Sequence, residues 1–395
     1  MTKIRKNKLN KKENIALNKF KDLLSNLPDP RRAQGVRYPL ESIITIALMA
    51  SMSNADNAQE MENWGKYNKD WLEKFLSLPH GIPSQDVFLN VFAALNPVAF
   101  LELFISWMKL VQVRLNAHND SHISIDGKAI RRSFDKANDK PMLHKVSAWA
   151  SEVGMVMGQV STDAKSNEIT AIPELLKIID IRGCTITIDA MGCQKKIVKD
   201  IKDKGGDYLI AVKGNQKKLY EEIKETFVEL EDFLEKPAEF DELRRTESGH
   251  GRLERRTVQV LKYIEHIECR SKWKGLSFIV KVKSERIDLS KETNSVEYRY
   301  YIGSKKSLST ERIMEMIRNH WGIENSLHWV LDMAFREDEL RHRAGNCAEN
   351  FSTLRHFVLN LIKNYPKRKH GIRNLRKSIG WNPDVLIDVL LSWRY

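Results

Sequence analysis

The sequence predicts a mixed α/β fold with a β-rich insertion, preceded by an all-helical N-terminal domain and followed by a helical C-terminal tail. Three observations carry that expectation. From Leu40 to about Leu115, apolar residues recur at three- and four-residue spacing, the period of a buried helix face. From residue 121, short runs rich in Val, Ile and Thr come first side by side and then alternate with helical stretches. Such an order builds a mixed sheet covered by helices. Between about 240 and 305, three further strand-like runs follow without an intervening helix.

Taken in order, residues 1–25 are lysine-rich and are expected to be frayed or ordered by a partner. The loop "LPDPRRAQGVRYPLES" leads into the helical runs "LESIITIALMASMS" and "AQEMENWGKYNKDWLEKFLSL". "HGIPS" offers Ser84 as an N-cap for "QDVFLNVFAAL", and Pro97 suits the first turn of the next helix. "HISIDGKAI" reads as a strand, and "HKVSAWASEVGMVMGQVST" as two strands around a turn at 152–154. Then come helix "EITAIPELLKIID", strand "GCTITIDA", helix "QKKIVKDIKDKG", strand "DYLIAVKGN" and helix "QKKLYEEIKETFVELEDFLE". After the basic loop "ESGHGRLERR", the insertion supplies "RRTVQVLKYI", "LSFIVKVKSERI" and "SVEYRYYIGS". "STERIMEMIRNHWGIENSLHWVLDMAF" returns to helix, capped by Ser309 or Thr310. The expected segments are 1–118, 119–345 with the insertion inside it, and 346–395.

A net charge of +13 favours a polyanionic partner, because Lys and Arg that neutralise phosphates release condensed counterions. The longest apolar run, "IITIALMASM", has the length of a core helix and cannot span a bilayer. The basic N-terminus lacks the apolar segment of a secretory signal, so a cytoplasmic, membrane-free location is expected. Four cysteines without a CxxC pair read as reduced thiols, not as a zinc or disulfide framework.

Two acids follow strands: Asp126 after "HISI" and Asp189 after "CTITI". If those strands are neighbours, the carboxylates repel each other unless a cation sits between them. Mg²⁺ prefers such oxygens, and a site of this kind suits phosphoryl transfer. On these two positions alone, unrelated turn aspartates explain the pattern equally well. In "NHWGIENSLHWVLDMAF", His320, Glu324, His328 and Asp332 recur every four residues on one helix face, with Trp321, Leu327 and Leu331 expected in the core. The HExxH spacing of zinc sites is absent. Lys128, Arg131 and Arg132 beside Asp126, Lys213 and Asn215 after "DYLIAV", and Arg252 and Arg255 in the basic loop are candidate phosphate contacts. A solvated turn is the rival reading for each. Trp273 in "SKWKG" is expected to be exposed. No Ser-His-Asp arrangement or nucleotide-binding glycine motif is present.

Seven stretches in order, "LPDPRRAQGVRYPL", "HGIPSQDVF", "ISIDGKAIRRS", "TIDAMGCQ", "YLIAVKGNQ", "GHGRLERR" and "HWGIENSLHWVLDMAFRED", resemble the DDE transposases of bacterial insertion sequences. More narrowly, they resemble the branch that includes the H-repeat-associated proteins, and the resemblance covers nearly the whole chain. It implies an RNase H-like catalytic domain with a β-rich insertion. It further implies a metal triad of Asp126, Asp189 and Glu324, and Mg²⁺ as cofactor with Mn²⁺ able to substitute. Double-stranded DNA would be the partner, joined by a homodimer, with strand cleavage and strand transfer at terminal repeats as the reaction. A decayed, non-catalytic DNA-binding relative and a general RNase H-like nuclease are the alternatives. One departure stands out. Around the third acid, the tyrosine, arginine and lysine common in related transposases are replaced by Ile317, His320 and Leu331. His320 would carry the arginine's charge only when protonated, and Asp332 is the fallback third ligand.

Overall fold

The computed structural model describes residues 21–112, 121–134, 141–162, 168–233, 235–249, 252–288, 293–367 and 369–392. Most of the lysine-rich start, and His250 and Gly251 of the basic loop, lie outside the described residues.

The helical region comprises α1 (Leu40–Met52), α2 (Ala58–Tyr67), α3 (Lys69–Leu72), α4 (Gln85–Ala94) and α5 (Pro97–Gln112). Every residue of α1 except Glu41 is buried, as expected of a helix apolar all round. Asn57 caps α2 by accepting the Glu60 N–H at 3.0 Å, and Glu60 accepts the Asp56 N–H in return. Ser84 occupies the N-cap position of α4 but makes no side-chain cap bond. The first free N–H of that helix, Gln85, instead donates to Glu62 of α2 at 2.6 Å. A helix end is satisfied here by a neighbour, which local sequence cannot show.

The sheet begins as an antiparallel meander of β1 (His122–Ala129), β2 (His144–Ala150) and β3 (Met155–Thr162). Helix α6 (Glu168–Ile178) leads to β4 (Thr185–Ile188), and α7 (Lys195–Asp203) leads to β5 (Asp207–Val212). Both new strands add in parallel, β4 on β1 and β5 on β4. Helix α8 (Lys217–Asp232) precedes β6 (Phe240–Gly249), β7 (Arg252–Leu261), β8 (Phe278–Asp288) and β9 (Thr293–Gly303), which pair antiparallel in succession. β9 then pairs with β5. The insertion therefore completes one nine-stranded sheet in the order β3-β2-β1-β4-β5-β9-β8-β7-β6.

Two expectations change here. The insertion has a fourth strand, β6, which precedes the stretch read as a basic loop and runs into its start. Nearly all of it is exposed, so it lacks the apolar alternation that marks a half-buried strand. Arg255 and Arg256, which open the run "RRTVQVLKYI", lie in β7. Trp273 is buried, at 2% exposure, instead of facing solvent.

The chain continues through α9 (Thr310–His320), a π-helical turn (Glu324–His328) and α10 (Trp329–Phe335) to α11 (Cys347–Lys363), α12 (Ile372–Trp381) and α13 (Pro383–Leu391). Ser309 caps α9 by accepting the Arg312 N–H at 3.2 Å. One hydrophobic core runs from Leu24 to Leu390, and joins the first helices, the sheet and the last helices. Among the described residues no single helix is long and apolar enough to cross a membrane.

Candidate metal centre

The parallel register of β1 and β4 runs from His122↔Thr185 to Ile125↔Ile188 and stops. Asp126 and Asp189 are the next residues on the two strands, so the pairing itself sets them side by side. Asp126 does not end its strand, as the sequence suggested, because β1 continues beside β2 to Ala129. It ends only the part paired with β4. Asp189 Oδ1 accepts the N–H groups of Met191 at 3.0 Å and Gly192 at 3.3 Å, which fixes one of its oxygens. Asn215 holds the same turn by donating to the Ala190 carbonyl at 2.7 Å.

The third acid arrives from the helical run, which is interrupted. α9 ends at His320, and Glu324–His328 form a π turn in which the Trp329 N–H bonds the Glu324 carbonyl. Such wide turns recur at functional sites. Here the turn places Glu324, whose side chain is 61% exposed, above Asp126, with His328 between them. His328 Nδ1 is 3.0 Å from Glu324 Oε2 and 3.7 Å from Asp126 Oδ2. One ligand atom from each of the three lies within 4.8 Å of the others. Asp126, Asp189 and Glu324 line one cleft of about 490 Å³, together with Thr187, Lys213 and His320.

Burial, together with the charges of Glu168, Asp189 and Glu324, pushes the Asp126 carboxyl up to about 7. Glu168 itself is raised by burial and by Asp189. This fourth carboxylate escaped the sequence reading, since nothing marks the first residue of α6 as close to β1. The one available signal was Gly127, a glycine inside a strand, which often marks close approach. A Cβ there would lie 2.0 Å from Glu168 Oε1. Crowded carboxylates that are pushed toward the neutral form gain by sharing a cation. The donor set, carboxylate oxygens with one imidazole, fits a divalent ion.

Other candidate residues are placed as follows. His320 Nδ1 lies 3.0 Å from Thr187 Oγ1, which in turn meets buried His122 at 2.7 Å. Burial lowers His320 to about 4, so the ring is neutral and does not supply the charge of an arginine. Lys128 is only 11% exposed and bonds Asp332 and, at 3.0 Å, Glu337. It ties β1 to α10 and the turn that follows it, and it occupies Asp332, which does not line the cleft. Arg131 is 81% exposed, and its backbone N–H donates to Asp338 at 3.0 Å. Arg132 is exposed, with a φ of 64°. Lys213 is exposed at the lip of the cleft. Arg252 opens β7, and Arg255 faces Glu285 at 3.8 Å. Trp321, expected in the core, is 54% exposed, with the Arg299 guanidinium 4.9 Å from its ring centre.

Residues 117–361 match the family described as "Transposase DDE domain", and residues 21–108 match its associated region, "DDE_Tnp_1-associated". The chain is 40% identical over 380 residues to "Putative transposase YncI" of Escherichia coli O157:H7, which covers 96% of each protein. It is 38% identical over 341 residues to "H repeat-associated putative transposase YhhI" of Escherichia coli K12, covering 86% of this chain and 88% of that one. Among solved structures, a piggyBac transposase synaptic complex with hairpin DNA aligns over 93% of this chain and 79% of its own, at 11% identity and a TM-score of 0.41. With the family match spanning well over half of the chain, and with relatives of such identity over nearly its full length, the chain belongs to the DDE-domain transposase family, among relatives that include the H-repeat-associated proteins.

Proposed function

We propose that this protein binds the terminal inverted repeats of its own insertion sequence and catalyses metal-dependent cleavage and strand transfer of DNA. The observation that carries the reading is the convergence of Asp126, Asp189 and Glu324, from three separate stretches of sequence, on one cleft. An RNase H-like core agrees with the meander β1–β3 followed by parallel β4 and β5.

Asp126, Asp189 and Glu324 would hold Mg²⁺, or Mn²⁺ in its place, which when bound activates an attacking oxygen and stabilises a leaving one at phosphorus. The protein's part is positioning. Asp189 presents a carboxylate with one oxygen already fixed by two backbone N–H groups. Asp126 is carried on a strand paired to β2, and Glu324 reaches over from an exposed turn. Neutral His320, bonded to Thr187, steadies the wall of the cleft. Lys213, exposed at the lip of the cleft, and Arg131 and Arg132, exposed just past the end of β1, suit contact with the phosphate backbone. Arg252 and Arg255 on the β6–β7 hairpin suit a grip farther along the duplex. Two copies would hold the two ends of the element.

The test is a set of single substitutions, Asp126→Asn, Asp189→Asn and Glu324→Gln, assayed with DNA carrying the element ends. Each should abolish cleavage and joining in Mg²⁺ while leaving end binding and melting temperature near those of the parent. Full activity in any of them would remove that residue from the triad. Cleavage without joining and without preference for repeat ends would identify a general nuclease. Binding without nicking in Mg²⁺ or Mn²⁺ would identify a non-catalytic relative.

A further inference from the structure

We propose that His328 is a nitrogen ligand of the cation held by Asp126 and Glu324, so that the centre is a mixed carboxylate–imidazole site that prefers Mn²⁺ to Mg²⁺. The inference rests on the metal-centre reading above and adds a fourth protein group to it.

The geometry is that of neighbouring donors. Oxygens or nitrogens held 2.0–2.1 Å from an octahedral ion at right angles lie about 3 Å apart. His328 Nδ1 stands 3.0 Å from Glu324 Oε2 and 3.7 Å from Asp126 Oδ2, and the three ligand atoms fall within 4.8 Å of one another. The ring is 4% exposed, so no bulk water competes for its nitrogen. Its backbone is the last residue of the π turn that carries Glu324, so acid and imidazole move as one unit.

The two ring nitrogens are placed differently. Nδ1 faces the carboxylates of Glu324 and Asp126, whereas Nε2 is buried and has no hydrogen-bond partner among the described residues. If Nδ1 binds a cation, the ring proton sits on Nε2, away from the ion. Imidazole suits transition ions, carboxylate suits Mg²⁺ and Mn²⁺, and Mn²⁺ accepts both.

The experiment adds Mn²⁺ to the full-length metal-free protein and reads ¹⁴N modulation by pulsed electron paramagnetic resonance, with Mn²⁺ and Mg²⁺ affinities measured alongside. His328→Asn keeps an N–H donor for Glu324 but removes the ligating nitrogen; His328→Ala removes both. The parent should show nitrogen modulation, which both variants lose and His320→Asn retains. Mn²⁺ affinity in the two His328 variants should fall at least about tenfold, and more than Mg²⁺ affinity does. An oxygen-only spectrum in the parent overturns the proposal and leaves the triad standing, as does parental Mn²⁺ affinity in His328→Asn. Failure of the parent to bind Mn²⁺ any better than Asp126→Asn overturns the metal-centre reading itself.

Discussion

Asp126 shows how strongly a single position is governed by its neighbours. Its carboxyl is raised from 3.8 to about 7 by burial and by three nearby acids. A raised acid pKa stabilises the metal-free fold fully below about 3.8, and that contribution is gone once the pH passes about 7. Metal-free protein should therefore lose this part of its stability between those limits, and added Mn²⁺ should restore melting temperature at pH 8 far more than at pH 5. Because a proton and the ion compete for the same oxygen, apparent Mn²⁺ affinity should drop about tenfold per pH unit below 7, which calorimetric titration would read. Gly127→Ala tests the fourth acid. The backbone there is not left-handed, and the atoms a methyl would meet are the far end of the flexible Glu168 side chain. Stability should shift by no more than about 1 kcal/mol, while metal affinity moves as it does in Glu168→Gln. Asp126, Asp189 and Glu324 each sit at a local pattern, a strand or a helix stripe, which made them candidates; the family resemblance, not the pattern, joined them into one set. Glu168 and Glu337 were not legible, because their meaning lies in what long-range pairing brings beside them.

Among the elements, the strands and helices from β1 to α10, β6 apart, were readable in order, because their apolar periods are strong. What stayed hidden was decided by partners. β6 is a polar edge strand, and the helix after Ser309 is broken at Trp321 by a turn that serves the site. The join between β1 and the end of α10 is a buried ion pair. Burial alone would raise the Glu337 carboxyl, yet the charges of Lys128 and Arg355 hold it down to about 2. Glu337→Gln should destabilise by about 3–5 kcal/mol, since it leaves the Lys128 charge poorly compensated. Asp332→Asn, at a site 31% exposed, should cost much less. Denaturant titration of the two variants would rank them. The edge of β3 is closed in another way. Asn360 of α11 accepts the Val156 N–H at 2.9 Å and donates to the Val156 carbonyl at 2.7 Å, as a neighbouring strand would. Asn360→Ala leaves both groups without a partner, and a loss of about 2 kcal/mol is expected.

The molecule as a whole is held by contacts between distant parts of the chain. Arg376 of α12 is fully buried; it donates to the Ser51 carbonyl in the last turn of α1, to the Ala334 carbonyl in α10, and pairs with Asp56 at 2.7 Å. Arg376→Ala should lower stability by about 3–5 kcal/mol, and calorimetry should show the helical region and the sheet melting in one lowered transition. Chain order made the first helices look like a unit of their own; their shared core with α11 depends on contacts across some three hundred residues, which no local period encodes. The same helix that closes the edge of β3 also fastens to the end of α4, where Asn350 donates to the carbonyls of Phe92 and Leu95. A gene copy interrupted anywhere before the codon for Cys347 would therefore encode a chain with an open sheet edge and a hollow helical half.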